Sequence, residues 1–250
     1  MIENNRNKIY FASDFHLGVP NRTISREREM RIVHWLEEIK NDAAEIFLVG
    51  DVFDFWFEYK TVIPKGFVRL QGKIAELTDS GIPVHWFTGN HDMWIFDYIP
   101  SELGVKLYRE PFRREFNNKK FLIGHGDGLG PGDKGYKFIK SVFKNKISQW
   151  LFSIIHPDIG IVLANYWSSQ SRISTERTDD KFLGEKEFLV QFCKSTLIKE
   201  HFDFFVFGHR HLPLEIDLPG KSKYFNLGEW VNFNSYAVFD GEKMELKYFK

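Results

Sequence analysis

Cysteine is nearly absent: Cys193 is the only one in 250 residues. No intrachain disulfide can form, so a packed core has to hold the chain, and a reducing, cytosolic setting is expected. Long apolar runs are missing too. No stretch approaches the ~18 consecutive apolar residues of a membrane-spanning helix, and the opening residues MIENNRNKIYF lack the apolar centre of a secretory signal. Neither sign of charge is in excess, since 34 basic and 34 acidic residues cancel. That excludes a broad electropositive footprint, and no nucleic-acid partner is expected. What the chain has in abundance is aromatic: 26 Phe, with Phe, Trp and Tyr together at 17%. One large α/β domain with room for a smaller insertion fits this length.

A repeated arrangement carries the information. Lys8 to Ser13 is a short apolar run ending in Asp14-Phe-His16, and Glu45 to Val49 ends in Gly50-Asp51. Val84 to Thr88 ends in Gly89-Asn90-His91-Asp92, Lys120 to Ile123 in Gly124-His125-Gly126-Asp127, and Phe204 to Phe207 in Gly208-His209-Arg210-His211. Each run reads as a buried strand. Strands buried on both faces are expected in one sheet, whose carboxyl ends gather ligands. Between them, Ile24 to Asn41 and Phe67 to Ser80 repeat apolar residues at helical spacing (Met30, Val33, Leu36, Ile39; Leu70, Ile74, Leu77). The alternation predicts a largely parallel sheet with right-handed crossovers. Tyr224–Leu227, Tyr236–Phe239 and Met244–Phe249 read as further strands, with Asp240-Gly241 as a hairpin turn.

Five of the nine histidines (His16, His91, His125, His209, His211) fall at these strand ends. The other four, His34, His85, His156 and His201, are read as structural or surface residues. Asp14, His16, Asp51, Asn90, His125, His209 and His211 together mix oxygen and imidazole donors, which suits Mn²⁺, Fe²⁺ or Zn²⁺ better than Ca²⁺ or Mg²⁺. Seven donors exceed one ion and fit two that share a carboxylate. Two ions roughly 3.5–4 Å apart can activate water and neutralise phosphoryl oxygens. His91 is the candidate general acid, with Asp54 to orient and charge it.

These clusters resemble the calcineurin-like metallophosphoesterase superfamily, marked by D-x-H, G-D-x-x-D, G-N-H-[DE], H and G-H-x-H. All five blocks stand here in order: Asp14-Phe-His16, Gly50-Asp-Val-Phe-Asp54, Gly89-Asn-His-Asp92, His125 and Gly208-His-Arg-His211. The resemblance implies one ion on Asp14, His16, Asp51 and His211, and another on Asp51, Asn90, His125 and His209. It also implies two β-sheets flanked by helices, a four-layer α/β/β/α sandwich with a helical cap insertion. A narrower likeness covers nearly the whole chain. Ser13-Asp-Phe-His-Leu17, Gly50-Asp-Val-Phe-Asp-Phe-Trp56, Gly124-His-Gly-Asp-Gly128 and Asn226-Leu-Gly-Glu-Trp230 are similar to the UDP-2,3-diacylglucosamine pyrophosphatases of lipid A synthesis. Their reaction attacks the α-phosphorus and gives UMP and 2,3-diacylglucosamine 1-phosphate. The best-known branch carries Gly-Asn-Arg-Asp and a Glu after the Gly-Asp motif, where this chain has His91 and Asp54.

More than 80 residues separate His125 from His209. The expected division is a core of 1–130 and 201–250 with a cap of 131–200. Asp133 caps a helix predicted over Lys134–Ile155, with Phe138, Ile139, Val142, Phe143, Ile147, Trp150, Leu151 and Ile154 on its apolar face. Ile159–Trp167 is a second apolar stretch. An ordinary helical hairpin packed on the core accounts for this pattern. So does a cap that holds acyl chains, with Lys137, Lys140, Lys144 and Lys146 toward anionic head groups and peripheral contact with the inner membrane. Asp127, Asp133, Arg172 and Arg177 are candidate substrate contacts, the arginines as planar forks for phosphate. The expected substrate is the lipid-sugar nucleotide and the expected ion Mn²⁺, with another nucleotide diphosphate or a phosphodiester as the alternative substrate.

Overall fold

Strand β1 (Lys8–Ala12) is apolar on both faces because each face meets a different layer. Tyr10 and Ala12 pack with Ile32, Trp35 and Leu36 of helix α1 (Arg22–Ile39), whereas Ile9 and Phe11 pack against Phe121 and Phe204 of a second sheet. The same alternation runs through β2 (Ala43–Val49), with Ile46 and Leu48 toward helices and Phe47 and Val49 toward the second sheet. A computed structural model describes residues 6–132, 134–164, 166–168 and 181–250.

The first sheet has six strands in the order β11-β10-β1-β2-β3-β4. Its members β3 (Val84–Phe87) and β4 (Lys106–Tyr108) run parallel to β1 and β2, while β10 (Ser235–Phe239) and β11 (Met244–Tyr248) form the antiparallel hairpin. The second has five strands in the order β5-β6-β7-β9-β8. Here β6 (Lys119–Gly124), β7 (Phe204–Phe207) and β9 (Lys223–Leu227) are parallel, with β5 (Phe112–Phe116) and β8 (Pro213–Asp217) as antiparallel edges. The single sheet expected for all five motif strands is therefore two. Their unbroken apolar runs arise from sheet-on-sheet packing on one face and helix packing on the other, which leaves the same pattern in sequence.

Helices α1 and α2 (Val68–Asp79) cover the first sheet, and α6 (Phe188–Leu197) covers the second through Leu189, Val190 and Cys193. Asn21 starts α1 by accepting a hydrogen bond from the Ile24 N–H at 3.0 Å. The short α3 (Tyr98–Leu103) is seated on Glu58, whose carboxylate accepts from the N–H groups of Phe96, Asp97 and Tyr98.

Between β6 and α6 the chain leaves the sandwich. The helix expected over 134–155 is two, α4 (Lys134–Lys144) and α5 (Lys146–Ile154). Asn145 is extended between them, and its side chain accepts from the Ile147 N–H at 2.8 Å, starting a new helix in a new direction. Residues 157–164 and 166–168 are helical again. Phe143 and Phe152 anchor this excursion on Phe57 and Trp94 of the core. Among the described residues no helix is long and apolar enough to cross a membrane.

Candidate metal centre

The carboxyl ends of β1, β2 and β3 in one sheet and of β6 and β7 in the other open onto the same edge. Glycine allows the approach. A Cβ on Gly208 would lie 2.5 Å from Asp14 Oδ2, one on Gly50 2.5 Å from His125 Nδ1, and one on Gly89 would overlap Asp51 Oδ1. Four of the seven predicted ligand residues take up left-handed backbone: Asp14 (φ 55°), His16 (44°), Asp51 (52°) and His209 (67°). Each such residue costs on the order of 1–3 kcal/mol, and such strain gathers at functional sites.

Three groups of donors result, of which one, His16 with Asp51 and His91, includes the candidate acid and links the other two. Asp14, His16 and His211 form the first: the two Nε2 atoms are 3.1 Å apart, and Asp14 Oδ1 lies 3.6 Å from His16 Nε2 and 3.4 Å from that of His211. Asp51, His125 and His209 form the second, with Asp51 Oδ2 3.2 Å from His125 Nε2. Asn90 Oδ1 joins it, 2.9 Å from His209 Nδ1 and 3.2 Å from His125 Nε2. Neighbouring donors around an ion with bonds of about 2.0–2.2 Å stand roughly 3.0–3.5 Å apart, so the spacing fits. Asp14 Oδ1 is buried without a hydrogen-bond donor, as a carboxylate oxygen reserved for a cation would be. His125 Nδ1 donates to the Val49 carbonyl at 2.9 Å, which leaves the Nε2 lone pair for the centre.

Electrostatics separates these groups. Burial works against charge on Asp14, yet the imidazoles of His16 and His211 beside it hold its carboxyl well below the usual range. Burial also opposes charge on His16, but Asp14 and Asp54 beside it raise the imidazole to about 10. Burial together with the charge of His125 pushes His209 down to about 4. Asp92 is an addition to the expected site; burial and the Asp51 charge raise its carboxyl to about 7. It accepts from the N–H groups of Val52 (2.9 Å) and Gly89 (2.7 Å), tying the loops after β2 and β3 together.

His91 is beside both groups, its ring centroid 4.9 Å from that of His16. Burial pushes its imidazole below the ordinary value, against the attraction of Asp51. Asp54 contacts it in an unexpected way. The main-chain carbonyl, 3.0 Å from His91 Nδ1, is the close partner, while carboxylate Oδ1 is 3.8 Å away and sits 3.3 Å from His16 Nδ1. Ser168 also reaches this pair: its hydroxyl donates to Asp54 Oδ2 at 2.7 Å and lies 3.1 Å from His91 Nδ1. Nothing in a serine ending an apolar run marks it in sequence. Asn226 braces the loop after β7 by donating to the Gly208 carbonyl at 2.9 Å.

Asp127 is buried and held by the Tyr136 hydroxyl at 2.6 Å and the ammonium of Lys140. Lys137 donates to the Gly130 carbonyl and Lys144 pairs with Glu110, so three of the four lysines expected toward head groups are tied to the core. Asp133, Arg172 and Arg177 lie outside the described residues. His85 is a buried structural residue, bound to Glu45 at 2.8 Å, and His34, His156 and His201 are exposed.

Next to His91 a cavity of about 550 Å³ opens under the excursion, lined by Phe55, Trp94, Phe138, Ile139, Val142 and Trp167 among others. The arrangement is thus a polar centre beside a greasy pocket.

The family model described as calcineurin-like phosphoesterase matches residues 7–213. The chain is 38% identical over 255 residues to UDP-2,3-diacylglucosamine hydrolase of Porphyromonas gingivalis, covering 97% of both chains. It is 26% identical to the UDP-2,3-diacylglucosamine hydrolase of Proteus mirabilis, over 94% of this chain and 96% of that one. Among solved structures, Yfce, a phosphoesterase from E. coli, overlays on 97% of this chain and 100% of its own at 14% identity, with a TM-score of 0.48.

Proposed function

Since this chain belongs to the calcineurin-like phosphoesterase family and is a metal-dependent hydrolase, we propose that it cleaves UDP-2,3-diacylglucosamine to UMP and 2,3-diacylglucosamine 1-phosphate. The apolar cavity opening beside His91 carries this reading. It puts room for acyl chains within reach of the donor groups, and the near full-length likeness to relatives bearing that name supports it.

Asp14, His16, Asp51 and His211 would hold one ion, and Asp51, Asn90, His125 and His209 the other, with Mn²⁺ the ion we expect. When bound, the pair supplies the positive charge that neutralises phosphoryl oxygens and acidifies the attacking water. The side chains do the rest. Water adds to phosphorus and gives up a proton to solvent, the P–O bond to the leaving group breaks, and the leaving oxygen takes the Nε2 proton of His91 in its doubly protonated imidazolium form. The Asp54 carbonyl can only accept, so His91 Nδ1 carries a hydrogen and Nε2 is the nitrogen that turns to the reacting group.

The excursion between β6 and α6, within the expected 131–200, acts as a cap in this reading. Its inner face lines the cavity and its outer face exposes Ile147, Trp150, Leu151, Ile154, Ile159 and Val162. Lys146 is exposed beside them, and peripheral contact with an anionic bilayer would cover this face. A phosphodiester with an alcohol leaving group is the second reading, favoured by His91, because such a group leaves only when protonated. Turnover of UDP-2,3-diacylglucosamine against UDP-N-acetylglucosamine, which lacks the long chains, tests the first reading. A preference of 100-fold or more in kcat/KM is expected, equal to about 2.7 kcal/mol of transition-state binding; equal turnover contradicts it.

A further inference from the structure

Among the polar contacts that join the cap to the core, Lys144 meets Glu110, the Trp94 indole N–H donates to the Phe143 carbonyl, and two more involve residues that line the cavity. Tyr136 and Lys140 of α4 close on Asp127. Ser168, at the end of the helical residues 166–168, closes on Asp54 and His91, which are 114 and 77 positions away in the chain. The rest of the cap's described contribution to that cavity is apolar: Phe138, Ile139, Val142, Phe143, Ala164 and Trp167.

Two polar contacts of Ser168 have directions fixed by their partners. His91 Nδ1–H is directed at the Asp54 carbonyl (3.0 Å) and Ser168 Oγ (3.1 Å), both able to accept. The Ser168 hydroxyl hydrogen is directed at Asp54 Oδ2 (2.7 Å), so the oxygen faces that N–H as an acceptor. Ser168 is buried where it borders the cavity.

We propose that Ser168 is a positioning residue for general-acid catalysis: by bridging Asp54 and His91 it holds the His91 ring in place and makes the alignment of the acid depend on a seated cap. The proposal rests on the reading of His91 as the acid and on no particular substrate. The hydroxyl touches neither a predicted metal ligand's donor atom nor the reacting phosphorus. It acts through His91 and Asp54, so its removal spares the centre and slows the reactions that need a proton at the leaving oxygen.

The test uses the full chain loaded with Mn²⁺ and two probes, the phenyl and p-nitrophenyl esters of uridine 5′-monophosphate. Phenolate is the poorer leaving group and needs the proton; p-nitrophenolate hardly does. Ser168→Ala is expected to lower kcat on the phenyl ester on the order of tenfold, within the 10²–10⁴ a general acid supplies, with less than threefold loss on the p-nitrophenyl ester. KM and metal content stay as in the parent, and Ser168→Thr restores the phenyl-ester rate. Equal losses on both esters, or none on either, overturn the proposal. His91→Ala is the control: if its losses are also equal on the two esters, the acid reading itself fails, and the two failures stay separate. A second measurement needs no turnover. In the Zn²⁺-loaded, histidine-labelled chain, Ser168→Ala should shift the His91 Nδ1 resonance, because that N–H faces both the Ser168 hydroxyl and the Asp54 carbonyl, and should leave the His125 and His209 resonances in place. An unchanged His91 Nδ1 resonance overturns the proposal.

Discussion

The main-chain carbonyl of Asp54, and not its carboxylate, is the group that His91 Nδ1 faces, at 3.0 Å against 3.8 Å. The carboxylate serves His16 instead, at 3.3 Å from Nδ1. One residue therefore orients both a predicted ligand and the predicted acid, by different atoms.

Asp54→Asn keeps the carbonyl and removes the charge beside His16. Metal affinity should fall by about 10–100-fold, the usual cost of losing a group that orients a ligand, as read by titration of the metal-free chain. His91→Ala should keep both ions and lose about 10²–10⁴ in kcat on substrates with poor leaving groups. Ion loss in the histidine variant would make His91 structural.

Gly89→Ala tests how closely the loops approach. A Cβ there overlaps Asp51 Oδ1, the oxygen that also accepts from the His91 N–H at 2.8 Å. The loop after β3 has to retreat, so turnover should drop at least 100-fold while far-ultraviolet circular dichroism stays unchanged. Retained activity would mean that the loop gives way without moving Asn90 or His91.

The fold is legible wherever a pattern has one physical cause. Asp14, Asp51, Asn90, His125 and His209 follow strands directly, and a metal-type donor at the end of one buried strand after another points to a shared site at the sheet edge. Sheet number is not legible in the burial pattern, because Phe11 and Phe47, buried between sheets, read the same as residues buried under a helix; the family resemblance implied two sheets, as found. The break at Asn145 is hidden because apolar spacing continues across it from Phe143 to Ile147, and a cap changes direction without changing composition. Asp92 stands in view within Gly89-Asn-His-Asp92, but its bonds to Val52 and Gly89 exist only once two loops meet.

Glu45 gives a pH-dependent prediction at the far end of the sandwich. Its carboxylate holds His85 at 2.8 Å and Arg114 of the second sheet at 2.9 Å. Burial opposes its charge, yet His85 and Arg114 hold its pKa below the ordinary 4.5. A depressed carboxyl stabilises the folded state fully above its unfolded value and loses that contribution as pH falls through the folded one. Glu45→Gln should therefore lower the melting temperature at pH 6, and the gap to the parent should close below pH ~4.5. A gap that widens on acidification would contradict this assignment.

Trp150 and Val162 are 61% and 67% exposed on the outer face of the cap. Trp150→Ser with Val162→Ser should weaken co-sedimentation with anionic vesicles at low salt by about tenfold or more, in line with ~25 cal/mol per Å² of apolar surface. The melting temperature should hold. Unaltered co-sedimentation would move the contact elsewhere, and none by the parent protein would remove it.

The most direct test is turnover of UDP-2,3-diacylglucosamine by the Mn²⁺-loaded chain in ¹⁸O-labelled water, with products read by mass spectrometry. Labelled UMP and unlabelled 2,3-diacylglucosamine 1-phosphate are expected, with turnover abolished by Asp51→Ala. No cleavage, while an aryl phosphodiester is still hydrolysed, would keep the two-ion hydrolase and contradict the lipid-sugar nucleotide as its substrate.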